Sequence, residues 1–138
     1  MSISEFSMPA SACVEALKRN LVDHVVTVPD WVQLSLHDRL NKGVEGIRVI
    51  NACNENQVVT VAAGLTIGGK RPLVMMQNQG LYNCFNTLRA VCLDAHIPMV
   101  FLVGQFGREF GGQRAQQAAQ RADREAGHGG SLSVALCN

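Results

Sequence analysis

Four short apolar runs punctuate the chain: Val25–Val28, Ile47–Ile50, Leu73–Met76 and Met99–Val103. β-Branched residues dominate the first two, and no run alternates strictly with polar residues. Strands buried on both faces, as in a parallel sheet covered by helices, have this pattern. Between the runs, apolar residues recur at helical spacing. Ala12, Val14, Leu17, Leu21 and Val22 predict a helix before the first strand, and Trp31, Leu34, Leu36 and Leu40 a short one after it. Val58, Val59, Ala62, Ala63, Leu65 and Ile67 predict a third, which Gly68-Gly69 stops. Leu81, Cys84, Phe85, Leu88 and Cys92 mark one face of a fourth. This alternation implies right-handed βαβ units and an α/β fold: an open, mainly parallel sheet with helices on both faces.

Residues 1–110 carry this pattern, and residues 111–138 read as an atypical polar C-terminal tail. Gln113–Ala126 is rich in Gln, Ala and Arg, lacks an apolar face, and ends at Gly127-His128-Gly129-Gly130. A weak strand signal follows at Leu132–Leu136. The tail is expected to be an exposed helix, a docking arm or a poorly ordered segment.

Composition narrows the function classes. The 138 residues fit one domain, with 12 Lys+Arg against 11 Asp+Glu. A net charge near zero excludes a basic nucleic-acid footprint and an acidic disordered chain. Charged residues make up 17%, below the roughly 25% of an average soluble domain. A charge-poor surface on a small domain points to subunit contacts, homo-oligomeric ones included. No apolar run reaches the length of a membrane span, and Met1–Pro9 lacks the features of a signal peptide. Five cysteines without a CxxC read as reduced thiols, so a cytoplasmic location is expected. The four histidines have no metal-ligand spacing, so no metal site is expected from this chain alone.

In open α/β sheets, ligands bind beyond the carboxyl ends of the strands, where loops converge and helix N-termini point. Pro29-Asp30, Asn51–Gln57, Gln77-Asn78-Gln79-Gly80 and Gly104-Gln105 follow the four runs. Glu55 is the leading acid, although its position alone favours the plainer reading of a first-turn carboxylate that suits the helix dipole. Asp30 could face the cleft or cap the helix that follows. Gln77-Asn78 could bind a ligand or simply make a turn with Gly80. Gly64, inside the third helix, would be justified by close approach of another helix or subunit. The dinucleotide GxGxxG, the GxxxxGK[ST] phosphate loop and the GxSxG nucleophile elbow are all missing.

The ordered set Asn54-Glu55-x-x-Val58, Ala62-Ala63-Gly64, Gly68-Gly69-Lys70-Arg71-Pro72 and Met76-Gln77-Asn78-x-Gly80-Leu81 carries a resemblance. It resembles the pyrimidine-binding domain of thiamine-diphosphate-dependent 2-oxoacid decarboxylases. Within that family it is most similar to the sulfopyruvate decarboxylase alpha subunit and the phosphonopyruvate decarboxylase N-terminal domain. Val28-Pro29-Asp30 and the stretch from Ile97-Pro98 to Gly104 also fit.

The resemblance implies that Glu55 hydrogen-bonds the N1′ atom of the cofactor's aminopyrimidine, so that a 2-oxoacid can be decarboxylated. It implies catalytic roles for Glu55 and Asp30, and places Pro29, Gln77, Asn78 and Gly80 around the cofactor. An acid sharing a proton with a ring nitrogen needs dry surroundings. The family's Gly-Asp-Gly motif, which holds the diphosphate and Mg²⁺, has no counterpart here. The resemblance therefore implies a diphosphate-binding (beta) subunit that supplies Mg²⁺ and thiamine diphosphate anchoring, with little activity in the chain alone. Arg108 is a candidate for a substrate's second anionic group. The alternative is a catalytically silent oligomeric homologue acting as an assembly module.

Overall fold

A computed structural model describes residues 8–106 and 131–137, the latter as backbone only. Helix α1 (Ala10–Arg19) leads into strand β1 (His24–Thr27). Then follow α2 (Leu34–Asn41), β2 (Arg48–Asn51), α3 (Glu55–Ile67) and β3 (Pro72–Gln77). Two short helices, α4 (Asn78–Asn83) and α5 (Phe85–Leu88), and a π-helical segment (Arg89–Asp94) lead to β4 (Met99–Gln105). Strand β5 (Ser131–Cys137) completes the described chain.

The sheet order is β2-β1-β3-β4-β5. The first four strands are parallel, with Val25 level with Val49 and Leu73, and Leu73 level with Val100. Strand β5 runs antiparallel to β4 from Met99↔Cys137 to Gln105↔Ser131. The weak strand signal near Leu132–Leu136 thus corresponds to an edge strand, while residues 111–130 of the expected tail lie outside the described residues.

Each strand divides its side chains between two cores. Val26, Val74, Met76, Phe101 and Val103 pack against α3 and the segment holding Cys84 and Cys92. Val25, Leu73, Met75 and Leu102 pack against α1 and α2 on the other face. Burial on both sides accounts for the continuous apolar runs in the sequence.

The helices differ from their sequence-based outlines in three places. Helix α1 stops at Arg19, and Leu21 adopts φ +57°. The Leu21 and Val22 amides donate to the carbonyls of Lys18 and Leu17, closing the helix in a Schellman motif. Leu21 is therefore an exposed cap residue, not part of the helix's apolar stripe. Trp31 precedes α2 in a turn and is 76% exposed. The fourth predicted helix is divided, because the α4 geometry breaks at Cys84 and a π-helical turn begins at Arg89. Cys84 and Cys92 remain buried, whereas Phe85 is 61% exposed.

Helix α3 ends where the glycine pair predicts. Gly69 takes φ +75°, its amide donates to the Thr66 carbonyl, and the Lys70 amide donates to the Leu65 carbonyl. Gly64 has open space around it in this chain, so no helix of the described residues requires it.

Candidate active site at the carboxyl ends of the strands

Two clusters of polar residues form at the carboxyl edge of the sheet. The first is built on the start of α3. Asn54 caps that helix, its Oδ1 accepting from the Gln57 amide at 3.0 Å, and Cys53's amide donates to Gln57 Oε1. This capped start fixes Glu55 as the first helical residue, where its carboxylate is partly buried.

Glu55 lies against the backbone of Gly80 in α4. A Cβ at position 80 would fall 2.5 Å from both Glu55 Cγ and Oε1, so only glycine leaves room for the acid. Asn83, one helical turn further on, donates from Nδ2 to Glu55 Oε2 at 3.3 Å. Beneath them the Cys84 thiol donates to the Leu81 carbonyl and touches Met76 Sδ at 3.9 Å. Burial, reinforced by the negative charge of Glu55, pushes this thiol up to about 11. Cys84 is therefore a thiol, not a nucleophile, at neutral pH.

The second cluster lies beyond β1. Asp30 is joined to Gln33: Oδ1 accepts from the Gln33 amide and Oδ2 from Gln33 Nε2, both at 2.9 Å. The Asp30 amide donates to His37 Nε2 at 3.2 Å, and that ring atom lies 3.6 Å from Asp30 Oδ2. The Asp30 side chain is only 3% exposed. Both oxygens thus point inward, into the turn that starts α2. Pro29, immediately before it, is exposed.

Between the clusters, Asn78 works as a backbone clamp. Its Nδ2 donates to the Phe106 carbonyl at 3.0 Å, and its Oδ1 accepts from the Phe106 amide at 3.1 Å and from the Gln79 amide. It fixes the exit of β4 against the start of α4. Gln77 is the last residue of β3 and the N-cap position of α4. The structure therefore joins Glu55 with Gly80, sets Asn78 to holding β4, and gives Asp30 to a separate cluster. Arg108 lies outside the described residues.

Sequence reasoning missed Asn83, Gln33 and His37. The spacing Asp30-x-x-Gln33 was a usable signal, since an Asp followed three residues later by Gln matches a helix-start capping pattern. Asn83 had no comparable signal, because its role depends on where α4 meets α3.

An acid with one long hydrogen bond, set in a glycine cradle at a strand end, has an oxygen left to donate a proton to a ring nitrogen or, ionised, to accept from an N–H group. That chemistry fits an aminopyrimidine. Among the described residues, no group of three or more His, Cys, Asp or Glu side chains could hold a metal ion. An open cavity of about 420 Å³ lies at the opposite, amino edge, lined by Asp23, His24, Gly46, Ile47, Arg48 and Lys70. It is remote from Glu55, because Asp23 and His24 begin β1 whereas Glu55 follows the end of β2.

Residues 9–126 match the family described as thiamine pyrophosphate enzyme, N-terminal TPP binding domain. The chain belongs to this family. Among thiamine pyrophosphate proteins, it is 30% identical over 113 residues to the sulfopyruvate decarboxylase subunit alpha of Methanothermobacter thermautotrophicus, covering 82% of this chain and 68% of that relative. It is 28% identical over 98 residues to the subunit of the same name from Methanocaldococcus jannaschii, covering 70% of this chain and 56% of that relative. The thiamine pyrophosphate N-terminal domain has the α/β architecture expected from the sequence. No helix among the described residues is long and apolar enough to cross a membrane.

Proposed function

We propose that this chain is the pyrimidine-binding subunit of a thiamine-diphosphate-dependent decarboxylase acting on an anionic 2-oxoacid such as sulfopyruvate or phosphonopyruvate. The observation that carries this reading is the Glu55 carboxylate, cradled by the bare backbone of Gly80 at the start of α3. The names of the two relatives, both alpha subunits of sulfopyruvate decarboxylase, support the reaction class and a partner subunit.

Thiamine diphosphate supplies an electron sink for the carboxylate-bearing carbon of the 2-oxoacid. In this reading Glu55 holds and shares a proton at the pyrimidine N1′. Gly80 leaves room for the Glu55 side chain itself, and Asn83 keeps Oε2 oriented. Gln77 and Asn78 frame the cleft by fixing the end of β3 and the exit of β4. Pro29 leads into that cleft, and Asp30 serves it through the turn that it holds with Gln33. A diphosphate-binding partner chain carrying Gly-Asp-Gly would hold the Mg²⁺ and the diphosphate. Copies of this chain would also meet in the assembly, in the cytoplasm.

Co-expression with the diphosphate-binding chain, followed by a decarboxylation screen of sulfopyruvate and phosphonopyruvate, tests the reading. Turnover is expected from the complex and not from either chain alone. Glu55→Gln is expected to lower turnover at least ~100-fold while the complex still assembles. Normal turnover in that variant removes Glu55 from the mechanism. An assembled complex that binds the cofactor and turns over neither acid supports the silent assembly module instead.

A further inference from the structure

We infer that Gln33 is a positioning residue that ties the β1–α2 turn to the carboxyl ends of β3 and β4, and so fixes the width of the cleft beside Glu55. The inference deepens the proposed function and rests on it for its relevance to the cofactor, but its geometry stands independently.

Gln33 is only 3% exposed, an unusual place for a glutamine. Its Nε2 donates twice, to Asp30 Oδ2 and to the Met76 carbonyl, each at 2.9 Å. One amide thus also reaches a carbonyl 43 positions further along the chain. Met76 immediately precedes Gln77-Asn78, so this bond anchors the strand end from which α4 and Gly80 start.

The same side chain is wedged against β4. A Cβ at Gly104 would lie 2.9 Å from Val32 Cγ1, 3.0 Å from Gln33 Cγ and 3.1 Å from its Nε2. Glycine at 104, level with Gln77 across the strand pair, therefore makes room for Val32 and Gln33 together. Gln33 Oε1 is buried without a hydrogen-bond partner among the described residues. An unpaired buried acceptor costs stability, so core packing alone would favour an apolar side chain here. Both N–H donors, by contrast, are committed to the β1–α2 turn and the end of β3. A residue that spends stability on holding a turn against a strand end is what positioning requires.

The titratable groups facing Gln33 are Asp30 and His37, both on the β1–α2 side. Two variants of the full chain separate positioning from packing. Gln33→Met keeps the volume and removes both donors. It is expected to speed amide exchange about tenfold in residues 28–33 and 76–80, leaving α1 and α3 at wild-type protection. Gln33→Glu sets a carboxylate against Asp30. At neutral pH the two charges repel, and protection is lost in both segments. As pH falls from about 7 toward 5, the pair takes up one proton that bridges the two carboxyl groups, and protection returns in residues 28–33 but not in 76–80, because that single proton cannot also serve the Met76 carbonyl.

Wild-type protection in both segments of Gln33→Met, or a loss in residues 28–33 of Gln33→Glu that is equal at every pH, overturns the inference. If Gln33→Met does not fold, Gln33→Glu decides by itself: recovery at low pH confined to residues 28–33 supports the inference, and full protection of 76–80 without a donor to Met76 overturns it. In the complex with the diphosphate-binding chain, Gln33→Met is expected to weaken thiamine diphosphate binding about tenfold. A wild-type complex that does not bind the cofactor defeats the proposed function while leaving the exchange result to judge Gln33.

Discussion

At Gly80 the informative atom is the one that is missing. Gly80→Ala would place a methyl group 2.5 Å from the Glu55 carboxylate, and the cheapest relief is for that flexible side chain to swing away. Thermal stability should therefore change by less than about 1 kcal/mol. Cofactor affinity in the assembled complex should fall by about tenfold or more, measured by titration with thiamine diphosphate. The pair also explains what was readable at this scale. Glu55 could be picked from the sequence because it follows a buried run and begins a helix. Gly80 could be picked only as a turn former, since its contact with Glu55 needs the two helices in place. Asp30 was visible as an acid at a strand end, but its inward set depends on Gln33 and His37, which looked like ordinary polar and helical positions.

Helix ends were legible where glycine marked them and illegible where another residue did the same work. Gly68-Gly69 announced the end of α3, whereas α1 closes through Leu21 at φ +57°. A left-handed conformation costs a non-glycine residue roughly 1–2 kcal/mol. Because the Leu21 side chain is exposed, Leu21→Gly is expected to raise the unfolding free energy by about 0.5–1 kcal/mol, as read by urea denaturation. Gly64→Ala should stabilise α3 by about 1 kcal/mol in the isolated chain, because open space surrounds the position. If a partner subunit packs on that face, the same substitution weakens assembly, which sedimentation would detect. The fourth helix defeated periodicity for a physical reason. Leu81, Cys84, Phe85, Leu88 and Cys92 keep a helical spacing, but the break at Cys84 leaves Phe85 facing out, and the π-helical turn from Arg89 shifts the register further while Cys92 stays inside.

Across the whole molecule, the parallel order of β1 to β4 followed from burial on both faces, and the amino edge shows how the strands are held level. Asp23 gathers the starts of three of them: its carbonyl accepts from the Arg48 amide, its amide donates to the Arg71 carbonyl, and its carboxylate accepts from the Arg71 amide and His24 Nδ1. Desolvation raises this carboxyl, but the hydrogen bonds from His24 and Arg71, with the nearby charges of His24 and Lys70, outweigh it and hold it below the usual aspartate value. A group depressed in the folded state contributes stability above its unfolded value and loses it as pH falls through the folded one. Asp23→Asn should therefore lower the melting temperature at pH 7, with the gap to wild type narrowing as pH drops below about 4. Strand β5 was the least legible part of the sheet, because an edge strand lacks the doubly buried composition that revealed the others.

The alternation along β3 divides the interior into two compartments with no shared apolar neighbours: Val74 and Met76 belong to one, Leu73 and Met75 to the other. A cavity carved on one side is walled off from the other by the backbone. Truncations such as Val74→Ala and Leu73→Ala should consequently sum when combined, to within about 0.5 kcal/mol, although the two residues are adjacent in sequence.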